Sequence, residues 1–398
     1  MPAFPDQPPV VSLLDTDFYK LTMQQAVWHQ FRTARAGYRF YCRSPVDLSP
    51  LISRIRAQVR ELDALRLQSS ELDYLQATGL FADDYLKYLR HFRFDSRQVH
   101  IRAGESQLEI QIVGPWCETI LFEVPVLAII NETWFRHLRM SNAHSVNESE
   151  DRGDWAARRR LYAEGLRRLR AGMAPIQSHA ELRMADFGTR RRYSRHWHAH
   201  LLNKIAAGRY RKNIAGTSNV DLARRTGLTP VGTMAHEYIQ ACQAFTDLRS
   251  SQRLALESWL REYDGRLGIA LSDVVNRRVF LRDFDGRLAR RYRGVRQDSG
   301  DPFEWGELLV RHYQKLGIDP LTKQLVFSDG LDYETVLRIF RHFEGRVGMA
   351  FGIGTHLTNN LGPDALNIVI KLTHMNGQPV AKITDDPAKV VAPDDEYL

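Results

Sequence analysis

His236 follows the turn Gly232-Thr233 by three residues, at the end of the stretch IAGTSNVDLARRTGLTPVGTMAHE (214–237). A small-polar turn after a strand exposes backbone N–H groups and a hydroxyl, which suits an anion such as phosphate. An imidazole beside such a turn can act as acid, base or nucleophile. A solvated histidine would look the same in isolation, so the weight falls on its companions. Asp273, Asp298, Asp301 and Asp329 each stand just after a short apolar run. They are hard oxygen ligands of the kind that Mg²⁺ takes, and acceptors for sugar hydroxyls. Arg190 and Arg296 occupy similar positions and can grip phosphate bidentately. Gly330, Gly352, Gly354 and Thr355 offer a backbone cradle for a terminal phosphate. No GxxxxGK[ST] loop is present, which excludes ordinary P-loop binding of ATP. Together these residues suit a polyphosphorylated sugar without naming it.

The elements that must position them follow a pattern. From about residue 180, seven short apolar runs alternate with amphipathic helices, and each run ends in a polar or glycine-rich cluster: DFGTR at 186–190, GTSN at 216–219, GT at 232–233, SD at 272–273, RQDSGD at 296–301, SDG at 328–330 and GIGT at 352–355. Parallel strands whose C-terminal ends share a rim read this way. A barrel is favoured over an open sheet, in which only the switch-point loops would need such ends. The N-terminal third differs. A helix begins near Asp17, with Tyr19 and Lys20 in its first turn. A strand covers 37–43, helices cover 51–93 with a break near Gly79, a hairpin turns about 104–106 within 99–115, and an apolar helix covers 116–139. After a polar stretch at 142–154 comes the barrel pattern. Near the C-terminus Asn376-Gly377 joins two alternating strands as a hairpin. The expected division is a smaller α+β sandwich, residues 1–140 joined by the strands of 366–398, and an irregular α/β barrel of about seven parallel strands over 141–365.

Bulk composition narrows the class. The chain of 398 residues is 43% hydrophobic, enough for a substantial core. Its three cysteines, Cys42, Cys117 and Cys242, show no zinc or redox spacing, which points to a reducing cytoplasm. No signal peptide or membrane span is expected. The net charge of +8 raises the question of nucleic acid, but no zinc-finger, RNP-like or basic-arm pattern accompanies it. The arginines at 158–160 and at 167, 168 and 170 read as a solvated helix face.

The motifs LLDTDFYKLTMQQA (13–26), DFGTRRR (186–192), GTSNVDLARR (216–225), TPVGTMAHE (229–237), VRQDSGDP (295–302), LVFSDGLD (325–332), FGIGTHLT (351–358) and PVAKITDDPAK (379–389) carry a resemblance that runs in order through nearly the whole chain. The chain resembles the nicotinate phosphoribosyltransferases, which are type II phosphoribosyltransferases. The resemblance implies the irregular barrel with its sandwich domain, and the joining of nicotinate to 5-phosphoribosyl-1-pyrophosphate with ATP as co-substrate and Mg²⁺ as cofactor. It implies transient phosphorylation of His236 and a homodimer with composite sites. It places Phe187 on one face of the pyridine ring and Tyr19, from the partner subunit, on the other, with Arg296 near the carboxylate. Ser218 stands where a nicotinamide-using relative has an aspartate. Arg190 should contact phosphate, Asp273 and Asp298 the ribose and Mg²⁺, and Gly330, Gly352, Gly354 and Thr355 the 5′-phosphate. Thr189 and Asp329 join the substrate-binding set, and Lys382 and Lys389 reach phosphates across the interface.

Overall fold

A computed structural model describes residues 7–104, 107–143, 150–384, 390 and 392. Two sheets organise it. The first is antiparallel, in the order β12-β11-β1-β3-β2, from strands β1 (Arg35–Cys42), β2 (Val99–Ala103), β3 (Leu108–Pro115), β11 (Ile368–Met375) and β12 (Gln378–Pro379). The ladder between β1 and β11 runs from Ala36 opposite Met375 to Cys42 opposite Ile368, so a segment near the C-terminus lies inside the N-terminal sheet. The hairpin signal holds: Asn376 and Gly377 take φ of 53° and 77° between β11 and β12, both in the left-handed region that a two-residue turn between twisted strands requires. Strands β2 and β3 pair as an antiparallel hairpin. Residues 105 and 106 of its expected turn lie outside the described residues.

The second sheet is the irregular α/β barrel. Its strands are β4 (Met184–Asp186), β5 (Ile214–Thr217), β6 (Thr229–Pro230), β7 (Ile269–Leu271), β8 (Gly294–Gln297), β9 (Gln324–Phe327) and β10 (Gly348–Ile353), in the order β6-β5-β4-β10-β9-β8-β7. Every neighbouring pair is parallel. All seven runs read from the sequence are strands. The seam lies between β6 and β7, where the hydroxyl of Thr233 donates to the carbonyl of Ile269 at 3.1 Å. The strands are two to six residues long. Most of their residues are buried between packed layers, so a short apolar run suffices; Thr229 of β6, at the seam, is exposed.

The helix Phe18–Gln30 lies between the sheets. Its start agrees with the sequence, but it is not a surface helix, and Lys20, Thr22, Gln24 and Gln25 are all buried. Distant segments satisfy its polar groups. Gln24 Nε2 donates to the carbonyl of Cys117 at 2.6 Å, Thr22 Oγ1 to that of Thr233 at 2.7 Å, and Gln30 Nε2 to that of Ser258 at 3.0 Å. Asp17 precedes the helix without capping it. Instead the chain before the helix runs along the rim of β5. The Phe18 amide donates to the Ser218 carbonyl at 2.6 Å, and the amides of Val220 and Asp221 donate back to Thr16 and Leu14 at 3.0 and 2.8 Å. The arginines at 167 and 168 pair on the helix surface with Glu164, as a solvated face should.

Candidate active site

A cavity of about 430 Å³ lies between the C-terminal rim of the barrel and β11 of the antiparallel sheet. Tyr19, Phe187, Arg190, Ser218, His236, Arg296 and Asp298 all line it. The loops after β9 and β10 add Asp329, Gly330, Gly354 and Thr355, and the opposite wall adds Lys382. Twelve of the seventeen residues singled out by sequence thus share one cavity; Asp301, expected as a ligand of Mg²⁺ or a hydroxyl, instead caps the helix Pro302–Lys315, accepting from the amides of Phe303 and Glu304 at 2.8 Å. Thr189, Asp273 and Gly352 lie behind its wall. Thr189 is fully buried in the turn between Phe187 and Arg190. A Cβ on Gly352 would come within 2.3 Å of the Phe187 ring, so this glycine lets the ring lie flat on β10. Tyr19, expected from the partner subunit, reaches the cavity from the same chain as Phe187. Gly232 permits this: it takes φ of 148°, and a Cβ there would stand 3.0 Å from the Tyr19 amide. Lys389 lies outside the described residues.

His236 is the first residue of the helix His236–Ala241 and is 7% exposed. Its Nε2 is 3.0 Å from Asp273 Oδ1, and its Nδ1 is 3.6 Å from Asp298 Oδ2. An ionised Asp273 accepts the Nε2 proton, which leaves the lone pair on Nδ1. Burial pushes the imidazole down to about 4, aided by Lys382 and opposed by Asp273. His236 is therefore neutral at neutral pH, the form in which a ring nitrogen is nucleophilic. Asp273 is fully engaged: Ser299 Oγ donates to its Oδ2 at 2.7 Å and Lys382 Nζ lies 3.2 Å from the same oxygen. Burial alone would raise Asp273, but His236, Lys382 and Ser299 together hold it well below the usual carboxylate range.

Several cavity residues escaped the sequence reading. Lys371 is the foremost. It stands on β11 in the otherwise apolar run NIVIKL, which was its only signal. Burial, then Lys382 and Arg190, push its ammonium down to about 7. Arg191, also in the wall, is pushed down to about 10 by burial and by Arg190. Cations crowded until each lowers the proton affinity of the next mark a site suited to a polyanion. Arg296 carries a buried Nε with no hydrogen-bond partner among the described residues. On the acidic side, Lys20 Nζ sits between Glu123 Oε2 at 2.6 Å and Glu237 Oε2 at 2.5 Å, while Glu123 Oε1 holds Arg190 Nη1 at 3.1 Å. Glu237 also accepts from the Tyr38 hydroxyl at 2.6 Å and the Trp116 indole at 2.8 Å. This ladder ties the helix of His236 to Arg190. Asp17 lines the cavity too, and the Ser218 hydroxyl donates to its Oδ1 at 2.6 Å.

Among the described residues no group of three or more His, Cys, Asp or Glu side chains gathers to hold a metal ion. Asp273, expected with Asp298 as a Mg²⁺ donor, does not face the cavity, because His236, Ser299 and Lys382 engage both its oxygens; Asp298 and Asp329 do face it as hard donors, and Ser328 Oγ donates to Asp298 Oδ1 at 3.2 Å. One or two carboxylates suit an ion whose remaining ligands are phosphate oxygens and water, as is usual for Mg²⁺.

Known proteins match this architecture. The family model of the nicotinate phosphoribosyltransferase (NAPRTase) family matches residues 182–398, and that of the NAPRTase N-terminal domain matches 14–131. Nicotinate phosphoribosyltransferase of Xylella fastidiosa (strain 9a5c) is 50% identical over 394 residues, covering 98% of this chain and 96% of that protein. The same-named protein of Xanthomonas axonopodis pv. citri is 49% identical over 393 residues, with coverage of 97% and 95%. A crystal structure of nicotinate phosphoribosyltransferase from Vibrio cholerae superposes with a TM-score of 0.89 at 37% identity, covering 99% of this chain and 93% of that one. With both family models matched, near-full-length relatives at half identity and a solved structure of the same fold, the chain belongs to the nicotinate phosphoribosyltransferase family.

Proposed function

We propose that this cavity joins nicotinate to 5-phosphoribosyl-1-pyrophosphate, giving nicotinate mononucleotide and pyrophosphate, and that ATP drives the reaction through transient phosphorylation of His236. The observation that carries the reading is the juxtaposition of a neutral, buried His236 with the crowded cations Lys371, Lys382, Arg190 and Arg191. The ring nitrogen of nicotinate attacks the anomeric carbon as the bond to pyrophosphate breaks, through a transition state with oxocarbenium character. No protein nucleophile is needed there. The chain contributes placement and charge. Phe187 and Tyr19 supply aromatic walls for a flat ring. The unpartnered Nε of Arg296 suits the substrate carboxylate. Lys371, Lys382 and Arg190 take up the charge that develops on the leaving pyrophosphate. When bound, Mg²⁺ would be held by Asp298 and Asp329 together with phosphate oxygens and would neutralise the same charge.

In the ATP half, the Nδ1 lone pair of His236 attacks the γ-phosphorus. The bond to the β–γ bridging oxygen breaks, and ADP leaves with its electrons. Asp273, accepting from Nε2–H, stabilises the charge that develops on the imidazole. Water then attacks the phosphohistidine, returning phosphate and the free ring. While it lasts, the added phosphoryl charge beside Lys382 and Asp298 biases the cavity towards one substrate-binding arrangement. Homodimeric assembly belongs to the same proposal.

The test is product formation from phosphoribosyl pyrophosphate with nicotinate, nicotinamide or quinolinate, each with and without ATP. Turnover of nicotinate alone, raised by ATP with release of ADP, is expected. Preferred turnover of nicotinamide would refute the assignment of the base, and turnover indifferent to ATP would refute the coupling.

A further inference from the structure

Asp186 and His198 lie behind the cavity, and neither lines it. Both are fully buried, with His198 Nε2 2.6 Å from Asp186 Oδ2. His198 projects from the helix Arg195–Ala206, whereas Asp186 is the last residue of β4. The other bonds that Asp186 accepts converge on the rim. Its Oδ2 also takes the Thr217 hydroxyl at 2.6 Å, its Oδ1 takes the Gly188 amide at 2.8 Å, and its main-chain oxygen takes the Ser218 amide at 2.7 Å. The residue between Asp186 and Gly188 is Phe187, pinned by its own amide to the carbonyl of Ile353 at 2.8 Å. One carboxylate thus fixes the turn that presents Phe187 and the strand end that presents Ser218. Deep burial of an anion is costly without such bonds, and here the two that the carboxylate accepts from Gly188 and Thr217 come from residues next in the chain to Phe187 and Ser218. None of the hydrogen bonds of the pair goes to Lys371, Lys382, Gly354 or Thr355.

We propose that Asp186 and His198 form a buried positioning pair that sets Phe187 and Ser218, and thereby the seat of the nicotinate ring, independently of the phosphate end of the cavity. The inference rests on the functional reading above. Neither residue touches substrate. Each acts through hydrogen bonds on backbone and hydroxyl groups, as supporting residues do when they hold a functional side chain in register.

The experiment is steady-state kinetics with each substrate varied, on the wild type and on His198→Leu, His198→Gln and Thr217→Val. His198→Leu removes the donor to Asp186. It is expected to raise KM for nicotinate about tenfold or more while KM for phosphoribosyl pyrophosphate stays within about twofold. His198→Gln retains an N–H donor and is expected to restore most of the loss. Thr217→Val deletes one bond to the same carboxylate and should show the same split to a lesser degree, which decides the matter if His198→Leu does not fold. Folded variants with unchanged nicotinate KM, or with equal rises in both KM values, overturn the pairing. A wild type that does not turn over nicotinate overturns the functional reading instead, so the two failures are distinct.

Discussion

His236 and Lys371 divide the chemistry at the scale of single residues. His236 is kept neutral by burial and aimed by Asp273. In His236→Ala, ATP stimulation and transfer of label from the γ-phosphate to protein should both vanish, while a slow ATP-independent transfer persists; undiminished stimulation would remove His236 from the cycle. Lys371 gives a pH signature. Its charged form attracts pyrophosphate, and in the free protein that charge is lost as pH rises through about 7. Hence kcat/KM for phosphoribosyl pyrophosphate should hold below that point and fall above it. Lys371→Met should abolish the bend in a profile measured from about pH 6 to about pH 9. His236 titrates near 4 and does not contribute in that window. Sequence motifs exposed His236 because its neighbours are distinctive. Lys371 was hidden because one lysine in a strand ordinarily points to solvent.

Among the elements, the helix Phe18–Gln30 has the greatest consequence. Its N-terminus carries Tyr19 to the cavity and Lys20 to the pair of carboxylates. Lys20→Met would leave Glu123 and Glu237 buried without their shared cation. A loss of about 3–5 kcal/mol is expected, measured by denaturant unfolding, since breaking one partner of a buried ion pair strands the other. A loss below about 1 kcal/mol, the range of exposed pairs, would show that the ladder is solvated. The sequence correctly began this helix after Asp17 but left its burial unread. Polar side chains such as Gln24 and Thr22 look solvent-facing in one dimension, and their acceptors, the carbonyls of Cys117 and Thr233, lie far away along the chain. Asp17 shows the same limit: its carboxylate oxygen accepts from Ser218 rather than from the helix it precedes.

Across the whole molecule, the cavity exists only where the two sheets meet. The barrel supplies Arg190 and Asp298, and β11 of the antiparallel sheet supplies Lys371. A polyphosphate held by both should therefore clamp them. Phosphoribosyl pyrophosphate at about 100 times its dissociation constant should add about 2.7 kcal/mol to stability. Lys371→Met should lose most of the corresponding rise in Tm at a fixed ligand concentration, whereas a variant on the exposed helix face such as Arg167→Ala should keep it. No helix among the described residues is long and apolar enough to cross a membrane.

The sequence by itself determined the seven barrel strands, the hairpin at Asn376-Gly377 and the polar residues at the strand ends, among them His236, Arg190, Arg296 and Asp298. These depend on local signals: short apolar runs, turn residues that tolerate positive φ, and polar clusters at strand ends. Tertiary structure decided what each side chain does there. It set Gly352 beneath the Phe187 ring instead of in the cavity wall, engaged both oxygens of Asp273, and placed Asp17 against Ser218. It also pressed Lys371, Lys382 and Arg190 together from two sheets. Burial and the proximity of charges set protonation and hydrogen bonding, and both are properties of three-dimensional neighbours that spacing along the chain does not encode.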